Sequence, residues 1–298
     1  MLVLDEKRVA ETVGIADLIP VMEKALIDFS AGRVTQPVRQ MLEIPDHGGL
    51  FAPMPVIMDD VIGVKALTYY PGNAGRGLPT HHAQILLFSA ATGEPLAAID
   101  GRLITEMRTA AVSALATRML AAPGATVLAI IGSGAQARSH FQALSLVRRF
   151  AETRVWSPTE AHARRFADAI GGRAVDGPEE AVTNADVIVT ATAATRPVLH
   201  GNWLKPGAHV NAVGAPRPTW RELDDRAMAN VVVVDSRAAA AQESGDVILS
   251  KANIAAELGE LLADQKVVNR DRTTVFKSVG LAVEDIAAAR LAWQRASR

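Results

Sequence analysis

The chain has 298 residues, a length that suits two domains better than one hydrophobic core. Apolar residues make up 49% and charged residues 21%, as in a globular protein, and a net charge of −1 without a basic block argues against nucleic acid as a partner. Cysteine is absent, which excludes disulfides, thiol nucleophiles and cysteine-ligated metals. We see no secretory signal and no apolar run of membrane-spanning length, so we expect a cytoplasmic protein without a membrane partner.

The N-terminal part mixes short strands with an early helix. Apolar periodicity predicts a helix over residues 18–30. The predicted strands cover residues 38–44, 49–54, 63–69, 82–88 and 95–100. An Ala-rich helix is predicted over 105–122, where Pro123 and Gly124 end it. We therefore expect an α+β domain here.

From residue 126 the pattern alternates strictly between strand and helix. The predicted strands cover residues 126–131, 153–156, 186–191, 209–213 and 231–235. Short Val- and Ile-rich strands of this kind indicate a parallel sheet covered on both faces, a Rossmann-type doubly wound α/β fold. Its strands would end at one common edge, where ligands bind. A last helix over 282–293 is expected to pack back on the N-terminal domain.

The turn after the first of these strands reads Gly-Ser-Gly-Ala-Gln-Ala at 132–137. This is the glycine pattern of a dinucleotide-binding βαβ unit, with the required strand before it and helix after it. Gly132 makes the tight turn, Gly134 lets the backbone approach a pyrophosphate, and Ala137 lets the helix pack closely. The helix N-terminus offers free N–H groups to the phosphates, so the motif predicts a dinucleotide cofactor.

The end of the second strand of this unit bears on the choice between NAD(H) and NADP(H). NAD-binding units place a carboxylate about 20 residues past the glycines, where it holds the ribose 2′-hydroxyl. Residues 155–159 contain no acid, and Ser157 and Thr159 offer hydrogen bonds to a 2′-phosphate. NADP(H) is therefore favoured, while NAD(H) stays open because this loop contains no arginine.

Three cations interrupt apolar segments of the N-terminal half. Lys65 lies inside the strand 63–69, Arg39 opens the strand 38–44, and Arg108 falls in the first turn of the Ala-rich helix, where the dipole disfavours a cation. Each alone is explained by a stem on the core with its charged head in water. Together, beside a cofactor motif, they predict a site for a carboxylate-bearing substrate.

A Gly- and Pro-rich turn over 70–82 contains two adjacent histidines. His81 and His82 are too close in sequence to chelate one metal well, and no further ligand cluster accompanies them, so no metal is predicted. We interpret His81 as a donor on the substrate side and His82 as structural.

Motifs spread over nearly the whole chain resemble the ornithine cyclodeaminase/μ-crystallin family. They are GVKALT at 63–68, PGN at 71–73, GLPTHH at 77–82, TGEPLA at 92–97, RTAAVSA at 108–114, GSGAQA at 132–137, NAVG at 211–214, RELD at 221–224, ESGDV at 243–247 and FKSVGLA at 276–282. The resemblance implies a homodimer built through the N-terminal domain. It also implies a substrate-binding and dimerisation domain over 1–122 and 276–298, and a dinucleotide-binding domain over 123–275.

The resemblance assigns roles to individual residues. It implies that Arg39, Lys65 and Arg108 hold the substrate carboxylate, with Lys65 near the reacting carbon and nitrogen. The implied cofactor contacts are Thr109, Ala135 and Gln136 at the phosphates, Thr192 near the adenosine end and Val213 near the nicotinamide end.

One loop separates the members of the family. Cyclodeaminases carry an Asp after the strand that corresponds to 209–213, where it assists attack on the imine, whereas alignment on RELD puts Pro216 at that place. Proline cannot act as acid or base. The resemblance therefore implies an NAD(P)H-dependent reductase of cyclic ketimine carboxylates, which makes L-proline or L-pipecolate from Δ1-pyrroline-2-carboxylate or Δ1-piperideine-2-carboxylate. Lys65 is the expected proton or charge partner.

Three alternatives stay open at this point. The first is a lyase that cyclises ornithine or lysine with bound NAD, for which Asp224 or Asp225 would have to replace the missing acid. The second is a dehydrogenase of linear or N-alkyl amino acids. The third is a non-catalytic, NADPH-dependent binder of small molecules, against which the intact set of Arg39, Lys65 and Arg108 argues.

Overall fold

The computed structural model describes residues 1–298 apart from the side chain of residue 74. It contains two compact units: unit 1 is Met1–Arg108 with Leu281–Arg298, and unit 2 is Thr109–Gly280. The sequence placed the boundaries at 122/123 and 275/276 because it cut the chain at the end of the Ala-rich helix, whereas the units part within that helix.

The elements follow the chain in mixed order. The strands are β1 (Leu2–Leu4), β2 (Leu42–Ile44), β3 (Gly49–Met58), β4 (Val61–Tyr69), β5 (His81–Ser89), β6 (Pro95–Asp100), β7 (Val127–Ile131), β8 (Glu152–Trp156), β9 (Arg173–Ala174), β10 (Val187–Thr190), β11 (His209–Ala212), β12 (Val231–Val234), β13 (Ile254–Glu257) and β14 (Thr274–Lys277). The α-helices are α1 (Glu6–Thr12), α2 (Ile15–Ser30), α3 (Arg102–Leu120), α4 (Ala135–Val147), α5 (Glu160–Ile170), α6 (Pro178–Val182), α7 (Asp225–Met228), α8 (Arg237–Glu243), α9 (Gly245–Ser250), α10 (Leu258–Leu262) and α11 (Ala282–Ala296). Short 3-10 helices lie at Pro45–His47, Pro71–Arg76 and Gly201–Trp203.

Unit 1 is built on a sheet of strand order β1-β6-β5-β4-β3-β2, in which only the β1–β6 pair is parallel. Its inner face is covered by α11, which also packs against α2. Met54, Lys65 and Ile85 are cross-strand neighbours on this face, and all three are buried. At Gly63 an added Cβ would lie 2.5 Å from a methyl carbon of Ile286, so this glycine lets α11 approach β4.

Two predicted strands of unit 1 differ from the observed ones. The strand predicted over 38–44 was wrong at its start, because among its residues in the described structure only Leu42–Ile44 pair with β3, and Arg39 has no regular secondary structure. By contrast, β3 runs on to Met58 through Pro53 and Pro55. Both prolines lie beyond the part of β3 that pairs with β2, so their missing N–H groups fall on an open edge.

Unit 2 contains a parallel sheet of strand order β13-β12-β14-β11-β10-β7-β8-β9. The chain moves outward from β7 through β8 to β9 and then returns to the other side of β7 at β10. This reversal is the topological switch point of a doubly wound fold, and the predicted Rossmann-type α/β class is confirmed. In the described residues, no helix is long and apolar enough to span a membrane.

Candidate active site

Unit 1 contains a buried cluster of cations and carboxylates on the inner face of its sheet. Lys65 Nζ donates to Asp285 Oδ1 and to Thr105 Oγ1, at 2.8 Å each. Arg108 donates through Nε to the same Asp285 oxygen at 3.0 Å, and through a terminal nitrogen to Glu284. Lys65 is 1% exposed and Arg108 4%, while both carboxylates are fully buried. One oxygen of Asp285 therefore holds both cations.

The other oxygen of Asp285 is available for an additional hydrogen bond. Oδ2 is buried and accepts no hydrogen bond from the residues that the structure describes. Burial opposes the ionisation of Asp285, but the charges of Arg108 and Lys65 outweigh it and hold the pKa of Asp285 below its ordinary value. Asp285 is thus a negative charge with an unused acceptor in a water-poor place.

The proton of Lys65 is held less firmly than that of an exposed lysine. Burial lowers the pKa of Lys65 to about 8, against the attraction of Asp285 and with the help of repulsion from Arg108 and Arg39. The structure thus brings the three predicted cations into one electrostatic cluster. A lysine with this pKa is protonated near neutral pH and gives up its proton more readily than usual.

The helix argument for Arg108 was wrong. The helix α3 begins at Arg102, whose N–H donates to the Asp100 side chain, so Arg108 lies in the second turn. Its charge is met inside the protein by Glu284 and Asp285 instead of serving an external anion alone.

The two histidines lie on opposite faces of the sheet. His81 pairs with Tyr69, on the same face as Lys65, and the rings of His81 and Tyr69 lie 4.5 Å apart. His82 faces the outer side, where it lines a polar pocket with Tyr70. Both histidines are exposed, and the role of His81 as a substrate-side donor stays a prediction.

In unit 2, the residues predicted to bind the cofactor lie mainly at one edge of the parallel sheet. They follow the carboxyl ends of four strands, with Gly132, Gly134, Ala135 and Gln136 after β7, Ser157 and Thr159 after β8, Thr192 after β10 and Val213 after β11. Thr109 lies apart from this edge in the chain, in α3. The edge includes the switch point between β7 and β10, which is where open α/β sheets bind ligands.

The first loop of this edge fits a dinucleotide. Gly132 has φ +122°, and a Cβ there would lie 2.5 Å from the carbonyl oxygen of Ala191. Beside Gly134 no atom of the described residues lies within 4 Å of an added Cβ, so the loop is open to a ligand. Among the described residues, the 13-residue helix α4 has no side-chain cap at its N-terminus, so its first N–H groups are left for a ligand. These features suit a pyrophosphate.

The loop after β8 carries hydroxyls where NAD-binding proteins carry an acid. Ser133 Oγ donates to Ser157 Oγ at 3.0 Å, which links the first two loops. Arg164, on the following helix, is paired with Glu160 at the surface.

Sequence reasoning missed the acidic half of the cluster in unit 1. Lys65 and Asp285 are 220 residues apart in the chain, so no local pattern joins them. A signal was nevertheless present, because Glu284 and Asp285 are two adjacent charges in the first turn of a helix and are followed by the apolar residues 286–289. The logic that selected Lys65 within an apolar strand applies equally to them.

A Rossmann-type edge with an open glycine loop defines a dinucleotide-binding protein. The whole chain, residues 1–298, matches the sequence model of the ornithine cyclodeaminase/mu-crystallin family. Ketimine reductase mu-crystallin of Mus musculus is 49% identical over 284 residues, which cover 93% of this chain and 91% of that protein. The chain therefore belongs to the ornithine cyclodeaminase/mu-crystallin family.

Solved structures agree over the full length. The Δ(1)-pyrroline-2-carboxylate reductase of Thermococcus litoralis, in complex with NADH and L-proline, matches with a TM-score of 0.95 at 35% identity and covers 100% of this chain and 98% of its own. An archaeal alanine dehydrogenase dimer with bound NAD matches with a TM-score of 0.95 at 30% identity and covers 100% and 96%.

Proposed function

We propose that the protein is an NAD(P)H-dependent reductase of cyclic ketimine carboxylates, with Δ1-pyrroline-2-carboxylate and Δ1-piperideine-2-carboxylate as substrates and L-proline and L-pipecolate as products. The cluster of Lys65, Arg108 and Asp285 carries the proposal, because it joins positive charge for a carboxylate to a proton donor that titrates near neutrality. Two relatives named as reductases of such imines support it. On this view unit 1 binds the substrate and unit 2 binds the cofactor, in a cytoplasmic protein.

The substrate carboxylate would be held by Arg39 and Arg108. A guanidinium presents parallel N–H groups to a carboxylate, and burial strengthens the attraction. Glu284 and Asp285 hold Arg108 from behind and fix its orientation. Positioning the imine in this way supplies part of the rate acceleration.

The proton would be held by Lys65. Reduction of one C=N bond consumes one hydride and one proton, and the cofactor, when bound, supplies the hydride to the carbon. Lys65 is kept in place by Asp285 and Thr105, and its ammonium offers the proton for the nitrogen. A protonated nitrogen makes the neighbouring carbon electrophilic, and Asp285 Oδ2 offers a counter-charge to it.

NADP(H) is the proposed cofactor. Without a carboxylate at 155–159, no charge repels a 2′-phosphate, and Ser157 and Thr159 offer hydroxyls to it. A preference for NADH in the kinetic assay would contradict this choice and leave the reductase proposal intact.

The contacts of Asp224 and Asp225, which would have to replace the missing acid, argue against the lyase alternative. Asp224 caps α7 through the N–H of Ala227 and also pairs with His200, and Asp225 is exposed and pairs with Arg221. The resemblance puts Pro216 where cyclodeaminases carry their catalytic Asp, and proline cannot act as an acid. Neither aspartate is therefore positioned to serve as the acid of a lyase.

A homodimer through the outer face of the sheet in unit 1 completes the proposal. This face lies opposite α11 and exposes Ile57 by 49%, Ile62 by 36% and Leu86 by 37%. Ile57 and Ile62 are cross-strand partners, and Leu86 lies one strand further. Contiguous apolar exposure of this kind marks an association surface. The archaeal alanine dehydrogenase relative is a dimer.

The test is a steady-state assay of NADPH and NADH oxidation with each of the two imines. Rapid oxidation with either imine is expected, and NADPH should give the higher kcat/KM. An assay of ammonia release from ornithine and lysine with NAD runs beside it. Ammonia without net change of cofactor would overturn the reductase proposal in favour of the lyase.

A further inference from the structure

Several charged side chains are fully buried at the carboxyl edge of the sheet in unit 2, and three of them are linked to one another. They are Glu222, Asp246 and Lys277, which we call the buried network. Lys277 is the last residue of β14, Asp246 lies in α9, and Glu222 lies between β11 and α7. Burying three charges costs free energy that apolar side chains of similar volume would not cost. The network therefore calls for a role beyond packing.

The network forms hydrogen bonds with both the N–H and the carbonyl of Gly214. Its N–H donates to Glu222 Oε2 at 2.8 Å, and its carbonyl accepts from Lys277 Nζ. A Cβ at Gly214 would lie 2.5 Å from Glu222 Cδ, so the glycine is required for this contact. The next residue, Ala215, is buried and has φ +53°, a conformation that is costly for a residue with a side chain. The turn after β11 is thus held in a strained form.

The Glu222 carboxylate also accepts hydrogen bonds from the loop after β10. Glu222 Oε1 accepts from the N–H and the Oγ1 of Thr192, at 2.7 Å each. Thr190 Oγ1 donates to Oε2 at 2.9 Å. One side chain therefore bridges the two loops that carry Thr192 and Val213, the residues predicted to lie near the two ends of the cofactor.

Asp246 closes the network. Its Oδ1 accepts from the N–H groups of Glu222 and Leu223 at 2.8 and 2.9 Å, and its Oδ2 lies 2.9 Å from Lys277 Nζ. The backbone that carries Glu222 is thereby fixed to the residue that pairs with Lys277. Burial raises the pKa of Glu222 against the opposing attraction of Lys277, so the lysine helps to keep Glu222 an acceptor.

We propose that Glu222 and Lys277 are positioning residues of the cofactor site, which hold the loops after β10 and β11 in the one arrangement that receives the dinucleotide. This inference rests on the proposed function, since it takes the ligand to be a nicotinamide dinucleotide. The residues act through Gly214 and Thr192, and loss of either side chain should weaken cofactor binding more than imine binding.

The test is NADPH binding by the intact protein, followed by nicotinamide fluorescence without imine. Glu222→Gln turns an amide N–H₂ toward one of two backbone N–H groups, and Lys277→Met releases the Gly214 carbonyl. We expect the Kd of NADPH to rise about tenfold in each variant, as for the loss of a charged hydrogen bond. The KM of the imine, measured at saturating NADPH, should stay within about twofold of that of the unsubstituted protein.

Asp186→Asn is the matched control. Asp186 lies at the opposite edge of the same sheet, where its carboxylate accepts from the N–H groups of Thr126 and Val127 at 2.8 Å each and pairs with Lys205. This substitution removes the same chemistry from unit 2 and should leave the Kd of NADPH unchanged. Thermal unfolding of Glu222→Gln, Lys277→Met and Asp186→Asn shows whether the three substitutions lower stability by comparable amounts.

A milder variant covers the case in which Glu222→Gln does not fold. Thr190→Val keeps the side-chain volume and removes one donor from Glu222 Oε2, which should raise the Kd of NADPH about threefold. Unchanged NADPH binding in the folded variants, or equal weakening in Asp186→Asn, would overturn the inference. Failure of the unsubstituted protein to bind NADPH and NADH would instead overturn the proposed function.

Discussion

At the scale of single residues, two opposing influences set the pKa of Lys65. A lysine that is 1% exposed loses the hydration of its charge, which favours the neutral form, while Asp285 at 2.8 Å favours the ammonium. Burial is the larger influence and brings the pKa of Lys65 to about 8. Such a group can hold a proton in the resting protein and release it in a reaction.

Removal of the Lys65 amine tests its role directly. Lys65→Met should lower kcat for imine reduction about 100-fold or more, since general acid catalysis contributes at least that much. The Kd of NADPH should not change, because the hydrogen-bond partners of Lys65, Asp285 and Thr105, are not among the residues predicted to bind the cofactor. Lys24→Met is the control, because Lys24 is a partly exposed lysine of the same unit that pairs with Asp28. An equal loss of NADPH affinity in Lys65→Met would refute the catalytic role.

The pH profile tests the cause of the shift. Since Lys65 acts in its protonated form, kcat/KM should fall as pH rises through about 8. Asp285→Asn removes the charge that raises the pKa of Lys65, so the falling limb should move to lower pH. Glu106→Gln serves as control, because Glu106 pairs with Arg102 in the same helix as Arg108. A limb that moves equally in both variants would contradict the assignment.

At the scale of elements, the turn after β7 is tightly constrained. Gly132→Ala would bring a Cβ within 2.5 Å of the Ala191 carbonyl oxygen at φ +122°. The turn must then shift, and the Kd of NADPH should rise at least about tenfold. Gly171→Ala is the control, since Gly171 also has positive φ, at the end of α5, with no atom within 4 Å of an added Cβ. Equilibrium fluorescence titration of both variants makes the comparison, and equal affinities would contradict this account.

The elements also show what a single sequence can predict. In unit 2 the five predicted strands are observed as β7, β8, β10, β11 and β12, because short buried strands that alternate with helices carry a strong periodic signal. The prediction missed β9, β13 and β14, of which β14 is a central strand of the sheet. The strand predicted over 38–44 shrank to Leu42–Ile44, because whether an apolar run joins a sheet depends on a partner that sequence does not reveal. The three-residue strand β1 was missed for the same reason, since it pairs with β6 far along the chain.

The site follows the same rule. The glycine turn and Lys65 could be predicted, because each departs from its local surroundings. Two contacts could not be predicted, because both join residues that are distant in the chain. They are the pairing of Lys65 with Asp285 and the hydrogen bond from Lys277 to the Gly214 carbonyl. Buried charges in apolar elements were the available signal, and their partners became visible only in the fold.

At the scale of the whole molecule, two buried histidines make the free energy of unfolding depend on pH in the acidic range. Burial lowers the pKa of His140 and His209 to about 4, from an ordinary 6.5. Between pH 4 and pH 6.5 the two histidines bind protons in the unfolded chain but stay neutral in the folded chain. The contribution of the buried neutral histidines to the free energy of unfolding is therefore full above pH 6.5 and is lost as pH falls toward 4. The loss is about 1 kcal/mol per histidine and pH unit.

Substitution isolates this effect from that of the buried carboxylates. His140→Asn with His209→Asn should lower the thermal midpoint at about pH 7.5, and the gap to the unsubstituted protein should narrow at about pH 5. Calorimetry at both pH values measures the gap. A gap that stays constant would show that these histidines are not the titrating groups.

Assembly is tested on the outer face of unit 1. Ile62→Asp with Leu86→Glu places charges in the apolar face, so the proposed dimer should form with the unsubstituted protein and be replaced by a monomer in the variant, as measured by light scattering after gel filtration. Leu249→Glu is the control, because Leu249 is an exposed leucine of unit 2 at 48%. A dimer that survives the double substitution would contradict the proposed interface.

Isotope labelling follows the hydride from NADPH to the product and so tests whether the protein reduces the imine. The protein is given Δ1-pyrroline-2-carboxylate and NADPH deuterated at both C4 positions, and the product is analysed by mass spectrometry and chiral chromatography. We expect L-proline that carries deuterium at Cα, formed in step with oxidised cofactor. No deuterated proline, together with ammonia release from ornithine at constant total cofactor, would contradict it.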